Sequence, residues 1–186
     1  IRELTLEDID PDAVRQARHV NYGSFFASPS LDKAGIRELF KLAKENGATT
    51  SADVTHDSYG IGFNGIKNSL QYIDYFIPSY AEGKSLTGEI EPERMADMLI
   101  REAKNDMTVI IKMGERGCFY KSRGKCGRIP SYKAKAVDTT GAGDNFVAGF
   151  LTGLMSGWEL EESLDFANAV AGFSVQHIGA VSPDMS

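Results

Sequence analysis

Cysteine, tryptophan and histidine are scarce in this sequence, and positive charge is nowhere concentrated. Two cysteines, Cys118 and Cys126, among 186 residues cannot build a disulfide framework or a zinc cage. They could close one hairpin disulfide; reduced thiols are the expectation, and with them a cytoplasmic location. The three histidines, His19, His56 and His177, are scattered, and no pair has metal-ligand spacing. Lys and Arg number 20 against 26 Asp and Glu, a net charge of -6 with no basic block. That balance excludes nucleic acid and anionic membrane surfaces as main partners. No apolar run approaches the ~18 residues of a membrane span, no signal peptide is visible, and no internal repeat occurs.

The sequence does hold a core and an alternation. Hydrophobic residues make up 42% of the chain, enough to fill about one domain of this length. Residues 31–46 place Leu31, Ile36, Leu39, Phe40 and Ala43 on one helical face, with Gly47 as the stop. Residues 48–54 read as a buried strand and 73–77 as a short strand closed by Pro78. Residues 92–105 read as a helix with Pro92 in its first turn. Residues 108–113 are a dense apolar strand, and 117–129 a hairpin around Gly124. Two helices come last, near 144–156 and 160–176. The acidic start is a loop into a helix capped by Asp10 or Asp12, and Asn21, Tyr22, Phe25 and Phe26 are read as core and loop packing ahead of substrate stacking. Strands separated by helices predict an α/β layered sheet, mostly parallel, with ligands beyond the carboxyl ends of its strands.

The stretch "DTTGAGDNF", 138–146, carries the chemistry. Apolar positions Phe146, Val147, Phe150, Leu151, Leu154 and Met155 make the segment after Gly143 a helix, so Gly141 to Asp144 sit at its N-terminus. Unpaired N–H groups and the positive end of the macrodipole collect there, and glycine lets an anion approach the backbone. Asp144 then has two readings: a helix cap, or a general base that takes a hydroxyl proton beside an anion hole. Spacing alone leaves both open.

The segment "AVDTTGAGDNFVAGF", 136–150, resembles the C-terminal signature of the PfkB (ribokinase-like) carbohydrate kinases. Residues 73–88, 109–121 and 166–180 resemble further family segments in the family's order. The resemblance implies a ribokinase-like α/β/α layered sheet, the whole chain 1–186 being the C-terminal, nucleotide-binding part of that domain. It implies ATP and Mg²⁺ as cofactors, with K⁺ in some relatives, and a sugar or sugar derivative as phosphoryl acceptor. Asp144 matches the catalytic base, and Gly141, Ala142 and Gly143 match the anion hole. Lys112, Gly114, Glu115 and Gly117 match the loop along the ATP phosphates and ribose, and Asn168 a position flanking adenine. Glu82 matches the acid that organises Mg²⁺. Asp138, Thr140, Ser174, His177, Gly179 and Ser182 match a monovalent-cation site.

Departures accompany the match. Ser79 stands where the family's N-x-x-E motif has Asn, and Lys112 where Thr is common. Asp53, Thr55 and Asp57 replace a D-x-N-x-R pattern, without its Arg. The family's N-terminal strands and β lid, which bind the sugar, do not precede Ile1, so the isolated chain is expected to be an incomplete piece with an exposed edge that invites a homodimer. A nucleoside kinase of the same fold and a non-catalytic nucleotide-binding module are the other classes that fit.

Overall fold

The computed structural model describes residues 3–180. Among them, seven helices, α1 (Pro11–Gln16), α2 (Ile36–Glu45), α3 (Gly62–Ile66), α4 (Tyr80–Thr87), α5 (Pro92–Ala103), α6 (Ala142–Met155) and α7 (Leu160–Ser174), accompany six strands. The strands are β1 (His19–Phe25), β2 (Thr49–Val54), β3 (Tyr75–Phe76), β4 (Thr108–Lys112), β5 (Cys118–Ser122) and β6 (Lys125–Ile129). They form one sheet in the order β1-β2-β3-β4-β5-β6. The pairs β1–β2, β2–β3 and β3–β4 are parallel, and β5 and β6 turn at Gly124, whose φ is 77°. The α/β expectation holds. The chain divides into two compact units, Ile1–Ile111 with Tyr120–Cys126, and Lys112–Phe119 with Gly127–Ser186.

The first unit is built by periodicity. Helix α2 buries Ile36, Leu39, Phe40 and Ala43, one residue every three or four. A single π-helical turn, Leu31–Gly35, leads into it. Helix α5 starts on Pro92 and buries Met95, Ala96, Leu99 and Ala103. Strand β2 is buried along nearly its whole length, as a strand covered on both faces must be. Asp10 caps α1 by accepting from Asp12 N at 2.9 Å. His19 is spent inside the sheet, with Nδ1 2.8 Å from Thr49 Oγ1 and Nε2 2.8 Å from Ser51 Oγ.

The second unit rests on α6 against α7. A Cβ on Gly149 would lie 3.0 Å from Ala167 Cα, and one on Gly153 2.9 Å from Ser163 Cα. These two glycines, one helical turn apart, let the backbones touch. Phe146, Val147 and Phe150 of α6 and Leu164 and Ala167 of α7 are buried. Cys118 and Cys126 are free thiols. Among the described residues no helix is long and apolar enough to cross a membrane.

Candidate active site

Helix α6 begins two residues earlier than its apolar pattern suggests. Gly141 is the N-cap, at φ 74°, and no side chain among the described residues caps the helix. Asp144 is therefore the third helical residue and not the cap; the capping alternative falls. Its carboxylate is exposed and makes no hydrogen bond or ion pair within the described residues. The macrodipole still favours a carboxylate in this first turn. Among the described residues the first-turn N–H groups of Gly143 and Asp144 have no side-chain partner, which leaves the helix start open to an anion there.

The loop before α6 is stapled from several sides. Asp138 Oδ1 accepts from Thr140 N and Oδ2 from Gly179 N, both at 2.9 Å. These two N–H bonds, Gly179's the larger effect, hold the Asp138 carboxyl below its ordinary pKa. Val137 N and Asp138 N both donate to Val175 O, at 2.7 and 3.2 Å. Asn145 Nδ2 bridges Gly141 O at 3.0 Å and Ala180 O at 2.8 Å. Nothing in the sequence pattern singles out Asn145, because its bridge depends on the return of the chain at Ala180. A Cβ on Gly141 would sit 2.6 Å from Ala180 Cβ in a left-handed backbone, so only glycine fits.

Gly143 differs. Its φ is ordinary, and a Cβ there would meet only Lys112, with Nζ at 3.3 Å. The Lys112 ammonium thus stands over the first turn of α6, a cation beside unpaired N–H groups. The turn Gly114–Arg116 closes with Met113 N donating to Gly117 O at 2.7 Å. Gly117, at φ 79°, passes so close to Ile129 O that no Cβ fits. Gly114 and Glu115 are exposed, and the Glu115 carbonyl accepts from Ser131 Oγ.

Asn168 has a structural occupation. It is buried, and Nδ2 donates to Cys118 Sγ at 3.8 Å and Ile129 O at 3.3 Å. Burial pushes the Cys118 thiol up to about 12. Ser174 Oγ donates to Ala171 O at 2.9 Å, and His177 Nδ1 lies 3.2 Å from Phe173 O. Ser182 lies outside the described residues.

In the first unit, Ser79 and Glu82 form a capping box at the start of α4. Ser79 N donates to Glu82 Oε2 at 2.6 Å, and Glu82 N to Ser79 Oγ at 3.3 Å. The substitution of Ser for Asn keeps the cap, since both accept from N3. Glu82 Oε1 has no partner within the described residues, and Glu82 lines a pocket of about 230 Å³ with Thr55, His56 and Asp57. The Asp57 oxygens accept from Tyr59 N, Ile61 N and Gly62 N at 3.2, 3.1 and 2.7 Å. Asp57 therefore folds its own loop in the place where an Arg is missing from the pattern.

A mostly parallel α/β sheet, and a glycine-started helix presenting open N–H groups beside an unpartnered carboxylate, make an arrangement of α/β proteins that can receive an anion. The chain belongs to the pfkB family carbohydrate kinases, whose model matches residues 2–186. It is 30% identical to a probable fructokinase-5 of Arabidopsis thaliana over 96% of this chain and 58% of that protein. Among solved structures, adenosine kinase from Sinorhizobium meliloti matches with a TM-score of 0.84 and 27% identity, over 97% of this chain and 56% of that one. The Arabidopsis thaliana ribokinase complexed with ribose and ATP matches with a TM-score of 0.77 and 29% identity, over 93% and 54%. The chain thus spans little more than half the length of these relatives.

Proposed function

We propose that the protein carrying this chain is an ATP-dependent kinase that phosphorylates a hydroxyl of a sugar or sugar derivative. The observation that supports this most is at α6: an uncapped helix start on Gly141–Gly143 with the exposed, unpartnered carboxylate of Asp144 in its first turn. In this reading Asp144 takes the proton of the attacking hydroxyl. The N–H groups of Gly143 and Asp144 hold the negative charge of the transferred phosphoryl group, with Ala142 and Gly141 setting their direction. The open cradle and the Lys112 ammonium over it suit a polyphosphate; Gly114, Glu115 and Gly117 would flank it and α7 near Asn168 the base. Bound ATP supplies the phosphoryl group, and Mg²⁺ offsets its charge. Glu82, with one carboxylate oxygen unengaged, is a hard-oxygen donor suited to Mg²⁺ or its waters. The carbonyls along 138–140 and 174–179 would hold K⁺, in a loop whose Asp138 is already engaged by two N–H groups.

A nucleoside as acceptor is the second reading, favoured by the likeness to an adenosine kinase. Both readings share the same base. Asp144→Asn should lower the phosphorylation rate by at least about 10²-fold while MgADP binding is retained. Unchanged turnover would remove Asp144 from the role of base.

A further inference from the structure

Residues 130–140, which lead from β6 to α6, contain no helix or strand, yet the start of this segment is tied down residue by residue. Ile129 O accepts from Asn168 Nδ2 at 3.3 Å, and Gly117 approaches the same carbonyl so closely that no Cβ fits. Ser131 Oγ donates to Glu115 O. Residues 129–131 are thus held between the Gly114–Arg116 turn and α7. Tyr132 comes next. Its hydroxyl donates to Asp165 Oδ2 at 2.8 Å, and its Cβ lies 3.7 Å from the point that a Gly172 Cβ would occupy. The bond to Asp165 pushes the phenol's pKa up, so the proton stays on Tyr132 and the bond is donated throughout the neutral range.

Asp165, Asn168, Ala169 and Gly172 recur at i, i+3, i+4 and i+7 of α7 and share one helical face. Tyr132 is anchored at both ends of that face, its Cβ beside Gly172 and its hydroxyl on Asp165. The ring therefore runs along the middle of the face, at the level of Asn168 and Ala169. Asn168 itself is 4% exposed, and its Nδ2 is committed to Cys118 Sγ and Ile129 O, so it has little left to offer a ligand. The Tyr132 ring is 52% exposed and presents an aromatic surface at the same place on α7. With its hydroxyl bonded at one end and its backbone held at the other, the ring is preorganised, and a flat group stacking on it would cost the protein little freedom. Every nucleobase has a π-face that suits such a surface; a phosphate chain has none.

We propose that Tyr132 receives the nucleotide base by stacking, in place of the buried Asn168, and that Asp165 is a positioning residue that holds the Tyr132 ring for it. The assignment of the stacked group to ATP rests on the kinase reading above.

Calorimetric titration with MgADP, and with magnesium tripolyphosphate as a chain of phosphates without a base, tests it on wild type and variants, with melting temperatures measured alongside. Tyr132→Ala should weaken MgADP at least about tenfold while magnesium tripolyphosphate binding and the melting temperature stay as in wild type. Tyr132→Trp should keep or tighten MgADP, since the larger ring offers the base at least as much surface. Asp165→Ala should weaken MgADP less than Tyr132→Ala does and add nothing to it in the double variant. Unchanged MgADP affinity in Tyr132→Ala overturns the stacking role. An equal loss of both ligands overturns it too, because Tyr132 would then shape the loop without meeting the base. Additive losses in the double variant overturn the positioning role of Asp165. The kinase reading fails in a different way. No MgADP binding by folded wild type removes it together with the stacking role, whereas Tyr132-dependent MgADP binding with turnover unaffected by Asp144→Asn counts against that reading alone.

Discussion

At the scale of single residues, the glycines and acids of the 138–144 loop divide by what their surroundings allow. Gly141 is required by the fold, because both its left-handed backbone and the approach of Ala180 exclude a side chain. Gly143 has neither restriction, which makes it the position where a side chain would disturb a ligand and little else. Asp138 is a tie between two loops. Its folded pKa is depressed, chiefly by the Gly179 N–H and then by Thr140. A depressed carboxylate contributes stability above its unfolded pKa of about 3.9, and that contribution disappears as pH falls through the lower folded value. Thermal melts of wild type and Asp138→Asn should therefore differ at pH 7 and converge below about pH 4. A gap that persists at lower pH would mean that the tie does not depend on the charge.

At the scale of elements, the close approach of α6 and α7 gives the sharpest expectation. Gly153→Ala puts a methyl against the Ser163 backbone, and overpacking of this kind costs about 1–3 kcal/mol. Ser163 Oγ, on the other side of the contact, is buried without a hydrogen-bond partner among the described residues, so Ser163→Ala should leave stability equal or raise it by up to about 1 kcal/mol. Denaturant unfolding of the two variants checks both signs. The elements themselves are largely legible in the sequence. Leu31 to Ala43 recur with helical spacing, Gly47 and Gly124 stand where φ is positive, and the dense run 108–113 is a buried strand. Three features are not legible. Periodicity places the start of α6 too late, because Ala142 and Gly143 carry no apolar signal and the backbone alone decides that they are helical. The helix α3 and the 3₁₀ stretch Lys67–Tyr72 are too short to show a period. The left-handed backbone of Phe26, at φ 77°, and the buried Asp32, whose Oδ2 accepts from Phe26 N at 2.9 Å, are hidden as well, since a carboxylate six residues from the amide it holds leaves no pattern. At the site, the glycines and Asp144 are legible from the motif, whereas the capping box of Ser79 and Glu82 and the engagement of Asn168 emerge only from the contacts.

At the scale of the whole molecule, the net charge of -6 opposes a polyphosphate, so binding depends on local features that reverse the sign. Among the described residues the N–H groups at the start of α6 and the nearby Lys112 ammonium are such features, and a bound divalent cation would add to them. Chelating Mg²⁺ should accordingly weaken the nucleotide, because ADP without its metal meets the same acidic molecule with more charge. The most direct test of the account is calorimetric titration of MgADP into the wild-type protein and into Gly143→Val, with melting temperatures measured alongside. The account predicts saturable binding by wild type that Gly143→Val abolishes at an unchanged melting temperature. Equal binding by the folded variant, or none by folded wild type, would contradict the central claim that the glycines at the start of α6 exist to cradle phosphate.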